Sequence, residues 1–80
     1  MREVKVLGMG CAKCEKLFEN VKRAAEEAGV DIALEKVTDI NRIMGFGVAM
    51  TPALVVDGEV KAAGRVLSVE QIKELLTKEG

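Results

Sequence analysis

The sequence predicts one α/β domain over residues 1–80, with the element order β-α-β-α-β-β-α and a four-stranded mixed sheet carrying helices on both faces. Three observations predict this class. A strand pattern changes to a long helical one near the amino end, an Asp-Gly turn joins two β-rich runs, and a capping box opens a closing helix. The apolar fraction of 49% allows a packed core, which must be almost wholly aliphatic because Phe18 and Phe46 are the only aromatic residues.

The first half of the chain has the pattern of a β-α-β unit. Residues 2–7 alternate and predict a strand, and Gly8 and Gly10 then loosen the backbone ahead of the cysteines. From 11 to 28 the apolar period becomes helical, and Gly29 stands where a C-cap glycine belongs. One stripe of this helix collects Cys14, Leu17, Phe18, Val21, Ala24, Ala25 and Ala28. Residues 30–37 predict a second strand, parallel to the first.

A short helix follows, capped by Asp39 and ended by Gly45 and Gly47. Its apolar residues are Ile40, Ile43 and Met44. The Asp57-Gly58 pair, between "ALVV" and "EVKAA", predicts a two-residue hairpin.

The last segment, "SVEQIKELLTKEG", starts after Gly64 has closed the hairpin. Ser68 and Gln71 form a capping-box pattern, which predicts a helix beginning directly after the serine. The apolar face of this helix consists of Val69, Ile72, Leu75 and Leu76.

Charge and apolar runs limit the classes of partner. A net charge of −1, from 12 basic and 13 acidic residues, argues against a nucleic-acid partner. The longest apolar run, 48–56, is too short to span a bilayer, and the amino end does not resemble a signal peptide. We therefore expect a cytoplasmic protein without a membrane partner. In that compartment a cysteine pair is more often used for catalysis, redox exchange or metal binding than as a structural disulfide.

The two cysteines have different predicted environments. Cys11 stands at the start of a predicted helix, where unpaired N–H groups and the helix dipole favour a thiolate. Lys13 and Lys16 add positive charge nearby, so we expect a lowered pKa for the Cys11 thiol. Cys14 begins the apolar stripe and should be more buried. This asymmetry suits disulfide exchange, in which Cys11 attacks and Cys14 resolves the mixed disulfide.

Two other uses of the pair remain open at the level of the local motif. The absence of histidine excludes a Cys-His dyad, and a closed zinc site needs four ligands. However, Met9, Cys11 and Cys14 fit the Met-x-Cys-x-x-Cys signature of heavy-metal-associated domains, whose thiolates suit Cu(I). A Cu(I) or Zn carrier is therefore the main alternative, although such domains have a β-α-β-β-α-β order and end on a strand. A redox domain that has lost its catalytic role and acts by docking is a third possibility.

The segment Met50-Thr51-Pro52, followed by "ALVVDGEV", carries a family resemblance. A proline directly before a strand marks an edge, a strand start or a sharp turn. Together with the Cys-x-x-Cys after the first strand, it makes the chain resemble the thioredoxin fold over essentially its whole length. The extra amino-terminal strand and helix of full-length thioredoxins are lacking. The chain looks most like the small thioredoxin- and glutaredoxin-like redox-active disulfide proteins of prokaryotes.

This resemblance implies a thiol–disulfide oxidoreductase. Cys11 would be the nucleophile, Cys14 the resolving thiol and Pro52 a cis-proline. The backbone of Thr51 would pair with an extended substrate segment. The groove for that segment would lie near Pro52, with walls formed by Met9 and Met50. The resemblance implies no cofactor other than the redox-active Cys11–Cys14 disulfide. It implies that the partners are protein disulfides and a reductase or small-thiol donor. We expect a monomer.

The chain departs from the thioredoxin pattern at several positions. Gly10 replaces the tryptophan that precedes the first cysteine, and Lys5 stands where a buried acidic residue is usual. The residues between the cysteines are Ala12-Lys13, and the 64–66 segment lacks the acidic pair with which glutaredoxins hold glutathione. The resemblance therefore implies the class of chemistry. It does not imply a particular reduction potential, electron donor or glutathione specificity.

Overall fold

The computed structural model describes residues 2–10 and 12–78 and has the predicted order β-α-β-α-β-β-α. Its elements are β1 (Arg2–Leu7), α1 (Ala12–Ala28), β2 (Ile32–Val37), α2 (Ile40–Gly45), β3 (Ala53–Val56), β4 (Glu59–Ala63) and α3 (Val69–Lys78). The predicted α/β class and minimal thioredoxin fold are confirmed. None of the helices in these ranges is both long enough and apolar enough to cross a membrane.

The four strands form one mixed sheet in the order β2-β1-β3-β4. β1 pairs with β2 in parallel, whereas the β1–β3 and β3–β4 pairs are antiparallel. The β3–β4 ladder has an irregularity between Leu54 and Val55. Because β1 and β3 are adjacent and antiparallel, the carboxyl end of β1 lies beside the amino end of β3.

The face of the sheet covered by α1 and α3, called here the α1–α3 face, holds most of the core. Successive residues of a strand point to opposite faces, and Val4 and Val6 of β1 and Leu54 and Val56 of β3 point to this one. The helices contribute Leu17, Val21, Ala24, Ala25, Ile72 and Leu76. Leu17, Val21, Ala24 and Ala25 belong to the apolar stripe that the helical periodicity predicts for α1, whereas Phe18 and Ala28 of that stripe are only partly buried.

The opposite face, called here the α2 face, has a smaller core. Its buried cluster consists of Leu7, Val37, Ile43, Ala53 and Val55, with Phe46 and Val48 packed against it. Phe46 is partly buried, and Ile40 and Met44 of α2 remain exposed. β3 is therefore buried on both faces, whereas the short helix α2 covers only part of its side.

The predicted caps and the hairpin turn are present. Asp39 accepts a hydrogen bond from the backbone N–H of Asn41. The Ser68 N–H donates to Gln71 Oε1 and the Gln71 N–H to Ser68 Oγ, completing the capping box. Asp57 and Gly58 have φ values of 50° and 84°, as a type I′ hairpin turn requires.

One boundary differs from the sequence prediction. β2 begins at Ile32 and not at Val30, because the end of α1 uses the intervening residues as its cap. Gly29 has a φ of 67°, and the Val30 N–H reaches back to the carbonyl of Ala25 at 3.0 Å. This bond closes the helix by the Schellman pattern and keeps Val30 out of the sheet.

Candidate functional site

The candidate site lies where three neighbouring strands end together. The pairing of Leu7 with Ala53 places Gly8 beside Pro52, and the pairing of Ala53 with Ala63 places Pro52 beside Gly64. The Gly64 N–H donates to the Pro52 carbonyl at 2.8 Å, which extends the β3–β4 ladder by one step. The site is thus anchored to the two central strands, so its backbone is held by the sheet.

Cys14 lies in the first turns of α1 and faces the sheet. It is 1% exposed, in agreement with its predicted place on the apolar stripe. Its sulfur packs directly over Gly8, since a β-carbon placed on that glycine would lie 2.1 Å from Cys14 Sγ and 3.0 Å from Cys14 Cβ. The absence of a side chain at Gly8 therefore creates the space that the sulfur occupies.

Pro52 borders the same space. It is buried, the Thr51–Pro52 peptide bond is cis, and Pro52 Cα lies 4.0 Å from the position that a β-carbon of Gly8 would take. Thr51, on the other side of this bond, is exposed. Cys14, Gly8 and Pro52 are thus brought together, and Thr51 lies exposed beside them.

Met50 forms an outer wall of the site. It is 62% exposed, and its side chain lies over Gly64, where a β-carbon would come within 3.0 Å of Met50 Cβ and Cε. Gly64 has a φ of 77°, a conformation that favours glycine. Met9 is also 62% exposed and directly follows Gly8. Two flexible, polarisable side chains are thus presented to solvent, one over Gly64 and one directly after Gly8.

Cys11 lies outside the described residues, so its predicted role as nucleophile stays a prediction. Lys13 and Lys16 are exposed on α1 and keep their assignment as charges near Cys11 only as an expectation. The sequence still gives the spacing of the two cysteines. Cys11 stands three positions before Cys14 and directly before the first residue of α1.

Several polar contacts hold α1 in place relative to the rest of the fold. Glu15 forms an ion pair with Lys36 of β2, and Lys36 Nζ lies 4.7 Å from the centre of the Phe18 ring. Further along the helix, Asn20 Nδ2 donates to the carbonyl of Leu67 at 2.9 Å. These contacts, added to the apolar core, fix the helix that carries Cys14.

No buried side chain in the described ranges 2–10 and 12–78 is polar or charged. Lys5 occupies the strand position where the resemblance would place a buried acid, and its ammonium pairs with Glu3 at 3.3 Å. Because Lys5 alternates with Val4 and Val6, it points away from the α1–α3 face and from Cys14.

Among the described residues, the lowered carboxyl pKa values occur in surface ion pairs. A hydrogen bond from Arg42 lowers the pKa of the Glu35 carboxyl, and one from Lys61 lowers that of Glu59.

A surface groove lies between the carboxyl end of α1 and β2 and is lined by Phe18 and Leu34 among others. It lies at the far end of α1 from Cys14.

Comparison with known proteins agrees with this geometry. The thioredoxin domain family model matches residues 2–77 of the chain. The chain belongs to the thioredoxin domain family. It is 40% identical over 77 residues to a thioredoxin of Methanothermobacter thermautotrophicus, covering 96% of this chain and all of that protein. It is 44% identical over 73 residues to a thioredoxin of Methanocaldococcus jannaschii, covering 91% of this chain and 84% of that protein. These relatives support a thiol–disulfide oxidoreductase kind of function.

Gly8 is the site residue that the sequence analysis missed. From the sequence it is only a flexible residue between a strand and the cysteines. Gly8 does not lie in the positive-φ region, so its backbone conformation does not by itself require glycine. A glycine directly after a strand also signals a close approach by another group. That reading would have pointed to the packing against Cys14.

Proposed function

We propose that the protein is a thiol–disulfide oxidoreductase that exchanges electrons with protein disulfides through Cys11 and Cys14. The observation that carries the proposal is the packing of Cys14 over Gly8 and beside Pro52, in a chain of the thioredoxin family. Cys11 precedes Cys14 by three residues, which gives the spacing of a redox-active pair. A buried thiol three residues after a second cysteine in the sequence suits a resolving role.

The proposed reaction has two exchange steps. The Cys11 thiolate attacks one sulfur of the partner's disulfide, forming a mixed disulfide and releasing the partner's other sulfur as a thiolate. Cys14 then loses its proton and attacks Cys11, which releases the partner's second thiol and leaves a Cys11–Cys14 disulfide. The partner gains two electrons and two protons, and a reductase or small-thiol donor restores the reduced pair. No resident cofactor is required.

The exposed residues around Pro52 are proposed to bind the partner's segment. Thr51 is exposed beside Pro52, and its backbone would pair with an extended chain, while Met50 and Met9 would contact the side chains of that chain. Methionine suits such a surface because its side chain adapts to different partners. We further propose that the protein acts in the cytoplasm as a monomer, with Lys13 and Lys16 favouring the Cys11 thiolate.

Reduction of insulin by dithiothreitol tests the proposal. Wild type should accelerate the reaction, and Cys11→Ser should abolish the acceleration because the attacking thiolate is removed. Circular dichroism of each variant shows whether it is folded. Insulin reduction equal to the uncatalysed rate with both proteins would overturn the proposal. A Cu(I) titration of Cys11 and Cys14 would then test the alternative, a soft-metal carrier.

Replacement of the resolving thiol gives a second readout. Cys14→Ser should retain the first exchange step and accumulate a mixed disulfide with a peptide disulfide, visible by mass spectrometry under acid quench. The adduct should map to Cys11 after proteolysis. An adduct that forms equally on Cys11→Ser would contradict the assigned order of attack.

A further inference from the structure

Gly8 has a contact that is distinct among the glycines of the described residues. Most of the others have positive φ values, whereas Gly8 and Gly45 do not. A β-carbon on Gly45 would meet nothing within 4 Å, but one on Gly8 would overlap Cys14 Sγ at 2.1 Å. The requirement for glycine at position 8 is therefore steric and is imposed by the cysteine.

We infer that Gly8 is a positioning residue for disulfide exchange, because it sets where the Cys14 sulfur lies at the end of β1. The inference rests on the proposed function and adds to it a residue outside the Cys-x-x-Cys motif and the Thr51-Pro52 segment. Gly8 makes no chemical contribution of its own. Its role is to leave the end of β1 bare, so that the sulfur lies on the backbone beside Pro52.

A side chain at position 8 leaves two ways to relieve the overlap, and both move the sulfur. Rotation of the Cys14 side chain would turn Sγ away from Gly8 but would still leave Cys14 Cβ at the tight distance of 3.0 Å. A shift of α1 away from β1 would displace the whole residue. Because Cys14 is 1% exposed and surrounded by packed groups, neither adjustment leaves the thiol in its present place.

The step affected is the second exchange. The Cys14 thiolate forms a bond with Cys11 Sγ while the bond between Cys11 and the partner's sulfur breaks, and that sulfur leaves with the electron pair. The proton lost by Cys14 passes to solvent, and the leaving thiolate takes one up. Cys14 and Cys11 are oxidised to the disulfide and the partner is reduced. Displacement of Cys14 Sγ lowers the effective concentration of the Cys14 thiolate at the mixed disulfide and so slows the second exchange. It does not change the first exchange, in which Cys11 attacks the partner's disulfide.

Gly8→Ala, with Gly45→Ala as the matched control, tests this inference. Each reduced protein is mixed with glutathione disulfide, and the rate at which the glutathione mixed disulfide is converted to the Cys11–Cys14 disulfide is followed by mass spectrometry after acid quench. Since displacement by about 1 Å can slow an oriented reaction about 100-fold, we expect this rate to fall about 100-fold in Gly8→Ala. The rate in Gly45→Ala should equal that of wild type.

The outcomes separate this inference from the proposed function. A wild-type protein that forms no internal disulfide would contradict both. A wild-type rate of conversion in folded Gly8→Ala would overturn only the role of Gly8. If Gly8→Ala does not fold, the double variant Gly8→Ala with Cys14→Ala should fold, because the overlapping sulfur is gone. A double variant that is equally unfolded would show that the Cys14 sulfur is not what requires glycine there.

Discussion

The two faces of the sheet differ in the size of the apolar core that covers them. The α1–α3 face is covered by two helices whose apolar stripes are buried against β1 and β3. The α2 face is covered by a helix of six residues, and its buried cluster has five members. Regions with few buried apolar contacts open at a lower free energy than a central core. The α2 face is therefore expected to be the less stable half of the molecule.

The candidate site takes one part from each half. Cys14 belongs to α1, whose apolar stripe packs on the α1–α3 face, whereas Phe46 and Val48 attach the segment that leads to Met50 to the α2 face. The thiol that must meet another sulfur at a defined position is thus on the rigid side. Pro52 itself is held by the sheet through its bond from Gly64, so the part of the proposed binding surface expected to adjust is the exposed Met50 before it.

The largest effect expected from this comparison is on stability. Leu17→Ala removes a completely buried side chain from the centre of the α1–α3 face and should lower the free energy of unfolding by about 3–5 kcal/mol. Ile43→Ala should cost about 2 kcal/mol, because α2 is short and can move to fill the space. Both values can be measured by urea unfolding followed by circular dichroism, since the chain has no Trp or Tyr for fluorescence.

The ranking of the two variants is the critical result. An Ile43→Ala variant that loses as much stability as Leu17→Ala would show that the α2 face is as tightly packed as the other. Native-state hydrogen exchange sharpens the comparison. The amides of α2 should exchange faster than those of α1 in the wild-type protein, and Ile43→Ala should increase exchange in α2 more than in α1.

A smaller effect is expected from the exposed wall of the site. Met50→Ala should change the free energy of unfolding by less than about 0.5 kcal/mol, because the side chain is mostly exposed. If a partner's segment covers Met50, loss of that apolar contact should raise the KM for a protein disulfide about fivefold, from about 1 kcal/mol of buried apolar surface. Steady-state insulin reduction gives both kcat and KM.

Met44→Ala is the matched control for that variant. Met44 is 65% exposed, on α2, and is not among the residues that meet at Gly8, Pro52 and Gly64. Its replacement should leave KM unchanged. Equal KM values for wild type, Met50→Ala and Met44→Ala would remove Met50 from the proposed binding surface.

Much of the fold could be predicted from the sequence because its local signals are strong and agree with one another. The period change after Leu7, the Asp57-Gly58 turn and the capping box at Ser68 each act within a few residues. Local patterns therefore identified all seven elements. The start of β2 was placed two residues early, because the bond from Val30 back to Ala25 competes with strand formation and leaves no mark in apolar periodicity.

The contacts within the site could not be predicted in the same way. The burial of Cys14 follows from its place on the helical stripe. Its contact with Gly8 depends on how α1 crosses the end of β1, and the position of Pro52 depends on the register of β3 against β1. Pairings between segments more than 40 residues apart are not encoded in local pattern. The resemblance to thioredoxins supplied Pro52, but it contained no reason to select Gly8.

The smallest expected effect concerns the ion pair that joins β2 to α2. Arg42 donates to Glu35 at 2.8 Å and lowers the pKa of that carboxyl below its ordinary value of 4.5. A carboxyl with a lowered folded pKa stabilises the protein above its unfolded pKa, and this contribution disappears as the pH falls through the folded value. Wild type should therefore be slightly more stable than Glu35→Gln at neutral pH, and the difference should vanish in acid.

Urea unfolding at a series of pH values measures this difference. Glu19→Gln removes the same charge from an exposed position on α1 and serves as the control for net charge. Because both partners of the Glu35–Arg42 pair are about half exposed, the gain should be small and should decrease with added salt. A stability difference that persists at acid pH, or that Glu19→Gln reproduces, would show that the pair does not hold α2 to the sheet. The α2 face would then depend on its apolar cluster alone.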